Sequence, residues 1–441
     1  MTTAASSPSP SVTPVAPGLP LIGSLLPMMR DSEAFLTTQA ARLGPCFRVR
    51  VLNQSMVVLA GPAAAQVMTD NTGEVDAWRV WEGIIREFGG RQVLTMLEGP
   101  DHLAYRAAAR AGFAKGRVLE GLPQVVALTR EALDRTAPGE VLRVVPFAQR
   151  LVADCIGTLT LGRTPGAHLT DFITYWHTQL AVHLIGSARP AALRRADYLR
   201  AKASARAFAQ EVLHQDSGEQ PSSYVRDLRR LRDARPDLMN DEELLFMMLI
   251  PYVAGLDTVV NVLSLTLYEL YRRPEVLARV QAEARPVVEA GLPAERLRDL
   301  KVLHAAVLEV MRLYPIANIL PRYATRDFTV QGHAVRQGER LLMALATSQR
   351  DPALFRNPEQ FDVDRFLPPR SEHRQKGAFQ PYGAGAHTCL GAGMAEALLS
   401  SVLAVTVTHG QFELFPQTFR MKPFHSANLS PDGRLSLRRT S

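Results

Sequence analysis

The sequence predicts a mainly helical fold with small β-sheets, and three stretches carry that expectation. Leu244–Tyr268 is free of charge apart from Asp257, and Ala392–Val407 is a long Ala/Leu/Ser run without proline. Both have helical length. Arg48–Leu52 and Met56–Ala60, joined by Asn53–Ser55, alternate between faces as the two arms of a β-hairpin do.

At 441 residues the chain has room for two or three domains by length alone. Its 46% hydrophobic content and near-zero mean hydropathy suit a globular protein with a sizeable core. The 50 basic and 43 acidic side chains leave a formal charge of +7 that is dispersed along the chain. No Lys/Arg block has the look of a nucleic-acid arm, so no nucleic-acid partner is expected, and the charge serves solubility and one docking face. Cys46, Cys155 and Cys389 are odd in number and far apart, which argues against a disulfide framework and a zinc site. Residues 1–29 carry no charged side chain and so lack the basic start of a signal peptide. Leu19–Met29 is too short to span a bilayer and contains Pro20 and Pro27. A soluble, cytoplasmic monomer is expected.

Residues 1–16 are rich in Ala, Ser, Thr and Pro and read as a flexible lead, with a folded unit over 17–441. Asp76–Gly90 sets two tryptophans among charges and reads as an amphipathic helix. Between Glu98 and Phe113, His102 and Arg106 stand at i, i+4 and share a helix face. Gly166–Arg206 mixes Phe172, Tyr175 and Trp176 with Arg189, Arg194, Arg195 and Arg200, an apolar-plus-basic surface suited to transient membrane contact. The Leu244–Tyr268 run has the length of a membrane span, but Pro251 lies inside it and Asp257 would be costly at mid-bilayer. A buried central helix fits it better. Within it, Thr258 can bond the carbonyl four residues back, and a carboxylate beside a hydroxyl is also what proton delivery needs. Glu309 and Arg312, at i, i+3, are neighbours on one helix face.

The stretch Phe379–Gly393, FQPYGAGAHTCLGAG, holds the chemistry. Gly383 and Gly385 permit backbone conformations closed to other residues. They deliver Cys389 to the start of the Ala392–Val407 helix, where the dipole and free N–H groups favour thiolate over thiol. Thiolate is the form that ligates iron.

Tyr382, Gly383, Gly385, His387, Cys389 and Gly391 together resemble the haem-thiolate loop of the cytochrome P450 family, F-G-x-G-x-H-x-C-x-G, with Tyr382 in place of Phe. Four further blocks resemble that family in the same order: His102 with Arg106, Ala254–Thr258 (A-G-x-D/E-T), Glu309 with Arg312, and Arg322 with Arg365. The resemblance runs from the Pro17–Leu25 lead-in to the C-terminus. It implies a single-domain cytochrome P450 fold, a triangular helical body with small β-sheets at one end. A haem b would lie between the central helix and the cysteine-loop helix.

On that resemblance Cys389 is the axial ligand of the haem iron, supported by Tyr382, Gly383, His387 and Gly391. Ala254 and Gly255 face the other side of the haem, Gly255 sparing room for it and for O2. Arg106, His102, Arg322 and His387 serve its propionates. Asp257 and Thr258 deliver protons during oxygen activation. Glu309, Arg312 and Arg365 lock the fold and do no chemistry. Trp81 and Ile84, in the roof, and Val253, Ile316 and Ile319 line the substrate pocket.

The implied activity is monooxygenation, inserting one atom of O2 into a lipophilic small molecule by hydroxylation or epoxidation. By position Gly166–Arg206 resembles the family's flexible lid helices that admit substrate, and its apolar side chains favour a terpenoid or carotenoid. No flavin or nicotinamide module follows Gly410, so electrons would pass from NAD(P)H through a ferredoxin reductase and a ferredoxin. Lys115, Arg117, Arg370, Arg374 and Lys376 flank the cysteine side as its dock. Two other readings are a peroxide-driven peroxygenase on fatty acids and a non-catalytic haem- or lipid-binding protein of the same fold. The Asp257–Thr258 pair argues against the peroxygenase.

Overall fold

The computed structural model describes residues 12–215, 222–415, 431 and 433–440. Helix α1 (Leu25–Leu43) leads into strands β1 (Cys46–Val51) and β2 (Gln54–Ala60), which pair antiparallel from Cys46↔Leu59 to Val51↔Gln54. The alternation along this hairpin divides its side chains between two cores. Cys46, Val57 and Leu59 pack with Ala64 and Met68 of α2 (Pro62–Thr69), while Phe47, Val49 and Val58 pack with Leu36 of α1. Both faces are covered along Met56–Ala60, which is why that stretch of β2 is apolar throughout.

β2 continues this sheet by a parallel pairing, and the strand order is β1-β2-β8-β5-β3. Here β3 is Val75–Asp76, β5 is Leu320–Ala324 and β8 is Arg340–Ala344. A second sheet joins β4 (Val141–Arg143), β10 (Ser436–Arg439) and β9 (Phe412–Leu414), and β6 (Phe328–Val330) with β7 (His333–Val335) forms a small hairpin. Residues 12–16 depart from the flexible lead that composition predicts. Val15 bridges Arg48, the Ala16 N–H donates to Arg48 O at 2.8 Å, and Ala16 is buried. Backbone hydrogen bonding to the edge of β1 holds what composition alone leaves loose. Residues 1–11 of that lead lie outside the described residues.

The rest is helical: α3 (Trp78–Phe88), α4 (Gly99–Arg110), α5 (Lys115–Glu120), α6 (Leu122–Asp134) and α7 (Val144–Leu161). α8 (Leu169–Gln179), α9 (Ala196–Gln215) and α10 (Ser223–Ala234) precede the central α11 (Asp241–Tyr271). α12 (Pro274–Glu289), α13 (Lys301–Leu313) and α14 (Ala392–Thr408) complete the body. One hydrophobic core extends from Ile84 to Leu437 and gathers side chains from most of these helices. The chain is therefore one mainly helical unit, as the resemblance implies, and not the two or three that length suggests.

α11 begins at a capping box. The Asn240 side chain accepts from Glu243 N–H at 3.0 Å, and the Glu243 carboxylate accepts from Asn240 N–H at 2.7 Å. Its 31 residues run against α7 and also touch α9, α13 and α14. α7, α11 and the segment Gly385–Thr408 are each long and apolar enough to cross a membrane, yet two thirds of each apolar window is buried inside the protein. Packing between helices accounts for their hydrophobicity.

The polar lock lies beneath α13. Glu309 accepts from Arg312 Nε at 2.6 Å and Nη2 at 2.8 Å, from Arg365 Nε at 3.0 Å and from the Asp362 N–H at 2.9 Å. Arg312 also donates to Gln349 O and Pro358 O, and Arg365 to Arg356 O and to Glu372. None of the three side chains is exposed. Charges so buried persist only when paired and hydrogen-bonded, so the cluster fixes the irregular 349–372 segment that leads into the cysteine loop.

Candidate active site

α11 and the start of α14 enclose a cavity lined by Ala254, Gly255 and Thr258 on one side and by Cys389, Leu390, Gly391 and Met394 on the other. Val93, Leu94, Phe113, Met247 and Ile250 close its ends, and the Cys389 thiol opens into it. Its space amounts to about 870 Å³ counted to the open mouth, within the range of cofactor pockets. Apart from the thiol, among the described residues only Thr95 and Thr258 bring polar side chains to the wall.

The cysteine loop is held by its own backbone. The Cys389 N–H donates to Tyr382 O at 2.8 Å, and the Thr388 hydroxyl to Gly385 O at 2.7 Å. Gly385 has φ +72°, and a Cβ there would stand 1.8 Å from Met68 O, so no other residue fits. Gly391 ends the loop as the residue before α14. The first causes acting on the thiol are opposed. Burial raises its pKa above the ordinary value, while the Gly391 and Ala392 N–H groups and the Arg106 guanidinium pull it down, and burial is larger. The helix start favours thiolate, as the sequence predicts, but does not secure it alone; a cation bound at the sulfur would supply what is missing. The Tyr382 hydroxyl is buried near the Glu396 carboxylate, and burial pushes its pKa up.

Four cationic or donor groups gather nearby. Arg106 donates to Thr388 O at 2.7 Å and so ties α4 to the cysteine loop. His102 is buried, with its ring 4.3 Å from that of His387. Burial first, then His387 and Arg106, push its pKa down to about 4, which keeps the imidazole neutral. Arg322 is buried in β5 and donates to Pro321 O; among the described residues it makes no ion pair. The group missed from the sequence is Glu98, which meets His387 Nε2 at 2.9 Å and also acts electrostatically on His102 and Arg322. Its signal was its place one turn before His102, at the N-cap of α4.

On α11, Thr258 faces the cavity and its hydroxyl donates to Ala254 O, the helix back-bond anticipated for a mid-helix threonine. The lone pairs of its oxygen stay open as acceptors. Asp257 points elsewhere: Oδ1 meets His177 Nε2 of α8 at 2.9 Å, while Oδ2 is buried without a hydrogen-bond partner. His177 stands 80 positions away in the chain, and nothing in the sequence joins the two.

Several expectations need correction. Gly255 lines the cavity, but the space its missing Cβ spares belongs to Ile156, whose Cδ1 would lie 2.3 Å from it. On the side of α7 an added Cβ therefore fits only if the terminal methyl of Ile156 turns aside. None of the five predicted pocket residues lines the main cavity. Ile84 is buried in the core, Trp81 and Ile316 pack on that core, Ile319 packs under the β1–β2 sheet, and Val253 faces an aromatic crevice with Phe172, Trp176 and Tyr252. Helical phase turns Trp81, Ile84 and Val253 to these neighbours, and the path of the turn between α13 and β5 does so for Ile316 and Ile319. Of the predicted dock, Arg117 is tied to Glu120 and Arg370 to Asp362 and Glu372. Arg374 and Lys376 are exposed, and neither makes an ion pair among the described residues.

A haem requires a soft anionic ligand, an apolar slot and partners for two carboxylates. Cys389, the cavity and the Arg106–His102–His387–Arg322 group fit these needs, and the orphaned, buried His102 Nε2 has capacity for a partner.

A family model described as Cytochrome P450 matches residues 13–436. The chain is 26% identical over 438 residues to the cyclooctat-9-en-7-ol 5-monooxygenase of Streptomyces melanosporofaciens, covering 95% of this chain and 92% of that protein. It is 35% identical over 191 residues to the mitochondrial 25-hydroxyvitamin D-1 alpha hydroxylase of Rattus norvegicus, 42% of this chain and 38% of that one. It is also 35% identical over 164 residues to the sterol 14alpha-demethylase of Mycolicibacterium vanbaalenii, 36% of each chain.

Proposed function

The chain belongs to the cytochrome P450 family and is a monooxygenase of it; from that premise we propose that it oxygenates an alicyclic lipophile of terpenoid or carotenoid class. The single observation that carries the class is the likeness, over 95% of this chain, to a protein named for cyclooctat-9-en-7-ol, with which the apolar wall around the haem slot agrees. The relatives named for cyclooctat-9-en-7-ol, 25-hydroxyvitamin D and a sterol support it.

Bound haem supplies O2 activation and the transfer of one oxygen atom. In this reading Cys389 ligates the iron as thiolate, helped by the Gly391 and Ala392 N–H groups and Arg106. Arg106, Arg322, His102 and His387 hold the propionates. The apolar wall excludes water and orients the substrate. Thr258 accepts and passes a proton at its Oγ1, and Asp257 is the carboxyl that supplies it. Electrons reach the site from NAD(P)H through a ferredoxin reductase and a ferredoxin docked near Lys115, Arg374 and Lys376, on the side where α5 packs against α14.

An absorbance titration of the ferric holoprotein against terpenoids, carotenoids and fatty acids tests the class. A saturable high-spin shift with terpenoids or carotenoids is expected. A shift with fatty acids alone, or none with any compound, overturns the substrate class.

A further inference from the structure

Asp257 has little water of its own. Its side chain is 17% exposed, and one carboxylate oxygen is buried without a partner. The other oxygen meets His177 Nε2 at 2.9 Å, and the His177 side chain is 48% exposed. The imidazole is thus a wet group in hydrogen-bond contact with a nearly dry acid. An imidazole has two nitrogens, so a proton taken from solvent at Nδ1 can release another from Nε2. A donor one hydrogen bond away is within the reach that proton transfer requires.

Location adds a second consequence. His177 lies in the last turn of α8, directly before a π-helical turn over Leu180–Leu184. Such turns break the regular hydrogen-bond ladder and recur at functional sites. The His177–Asp257 contact therefore joins the end of α8 to the residue beside Thr258 on the cavity wall.

We infer that His177 is the positioning residue of the Asp257–Thr258 pair: it carries protons from water to Asp257 and pins α8 over α11 through the same hydrogen bond. A solvent hydronium ion protonates Nδ1, becoming water, as the Nε2 proton passes to Asp257 Oδ1. Turning of the Asp257 carboxyl then presents that proton to Thr258, and the imidazole is left neutral with its proton on Nδ1; exchange with water at the exposed ring returns a proton to Nε2 before the next transfer. No electron moves in this step. The inference rests on the reading of Asp257 and Thr258 as the proton-delivery pair.

The test uses the haem-loaded protein with a plant ferredoxin, its reductase and NADPH as surrogate donors, comparing H177Q, H177L, D257N and T258A. Two quantities are read: NADPH oxidation in H2O and in D2O, and hydrogen–deuterium exchange of α8. H177Q keeps an N–H in place of Nε2 but cannot relay a proton. It should retain the exchange pattern of α8 while turnover falls about tenfold and the solvent isotope effect changes. H177L should show the same fall and also faster α8 exchange. Wild-type turnover in H177Q overturns the proton route, and unchanged exchange in H177L overturns the pin. If D257N and T258A also turn over like wild type, it is the delivery pair that fails. Normal turnover in H177Q and H177L alongside loss in D257N sinks the inference alone.

Discussion

Arg365 Nε stands 3.0 Å from Glu309 Oε1, 56 positions upstream, with neither side chain exposed. This single contact closes the cluster that also holds Arg312 and Glu372, and it sets the path of the chain into the cysteine loop. Replacing one partner leaves the others buried and uncompensated. Glu309→Ala and Arg365→Ala should each cost about 3–5 kcal/mol, seen as a lowered urea midpoint with loss of bound haem. A variant with wild-type midpoint and haem content would remove the cluster from its supporting role.

Gly385 is a stricter requirement than Gly383. Both have positive φ, but a Cβ at 385 meets the rigid Met68 carbonyl at 1.8 Å, whereas at 383 the nearest atom is Leu320 Cδ1 at 3.7 Å. Gly385→Ala should therefore lose most of its haem, and Gly383→Ala should keep more, the strain of a left-handed alanine being only about 1–2 kcal/mol. Haem stoichiometry from absorbance decides it, and equal losses would contradict the packing argument.

Gly255 offers a test of packing against cofactor contact. Alanine there meets Ile156 Cδ1 at 2.3 Å, which should destabilise by about 1–3 kcal/mol. Ile156→Val removes that atom, so the double variant should recover most of the thermal stability. If the haem spectrum of Gly255→Ala changes and Ile156→Val does not restore it, the glycine serves the cofactor instead.

Glu33, on α1, is buried against Arg350 with an Oε1–Nε distance of 3.0 Å. Burial, only partly offset by Arg350, pushes its carboxyl up to about 7 from 4.5. An acid whose folded pKa is raised contributes stability that is complete below the unfolded pKa and is lost as pH rises through the folded one. Relative to Glu33→Gln, the wild type should lose about 3 kcal/mol between pH 4.5 and 7. Urea midpoints across that window measure the difference; parallel profiles would refute the assignment.

Much of the fold was legible in the sequence because its signals are local. The uninterrupted apolar run of α11 could only be buried, the β1–β2 alternation fixed two faces, and loop glycines announced a backbone that side chains cannot follow. His102 and Arg106 share a face because helical geometry puts i and i+4 together. What the five pocket residues face was not legible, because a motif names a segment and not its orientation. Ile84, Val253 and Ile319 are apolar in the expected segments, yet the first two pack against the main core and the third under the β1–β2 sheet.

By itself, the sequence determined which residue types meet at fixed spacings: the thiol with its glycines, the hydroxyl beside a carboxylate, the acid one turn from an arginine. Tertiary structure alone decided what those groups face. It set Glu98 against His387, gave Asp257 to His177 and assigned the room spared by Gly255 to Ile156. The reason is physical: hydrogen bonds and van der Waals contacts act over a few ångströms in space. A side chain's nearest partner therefore depends on how helices dock, which the chain's local order does not contain.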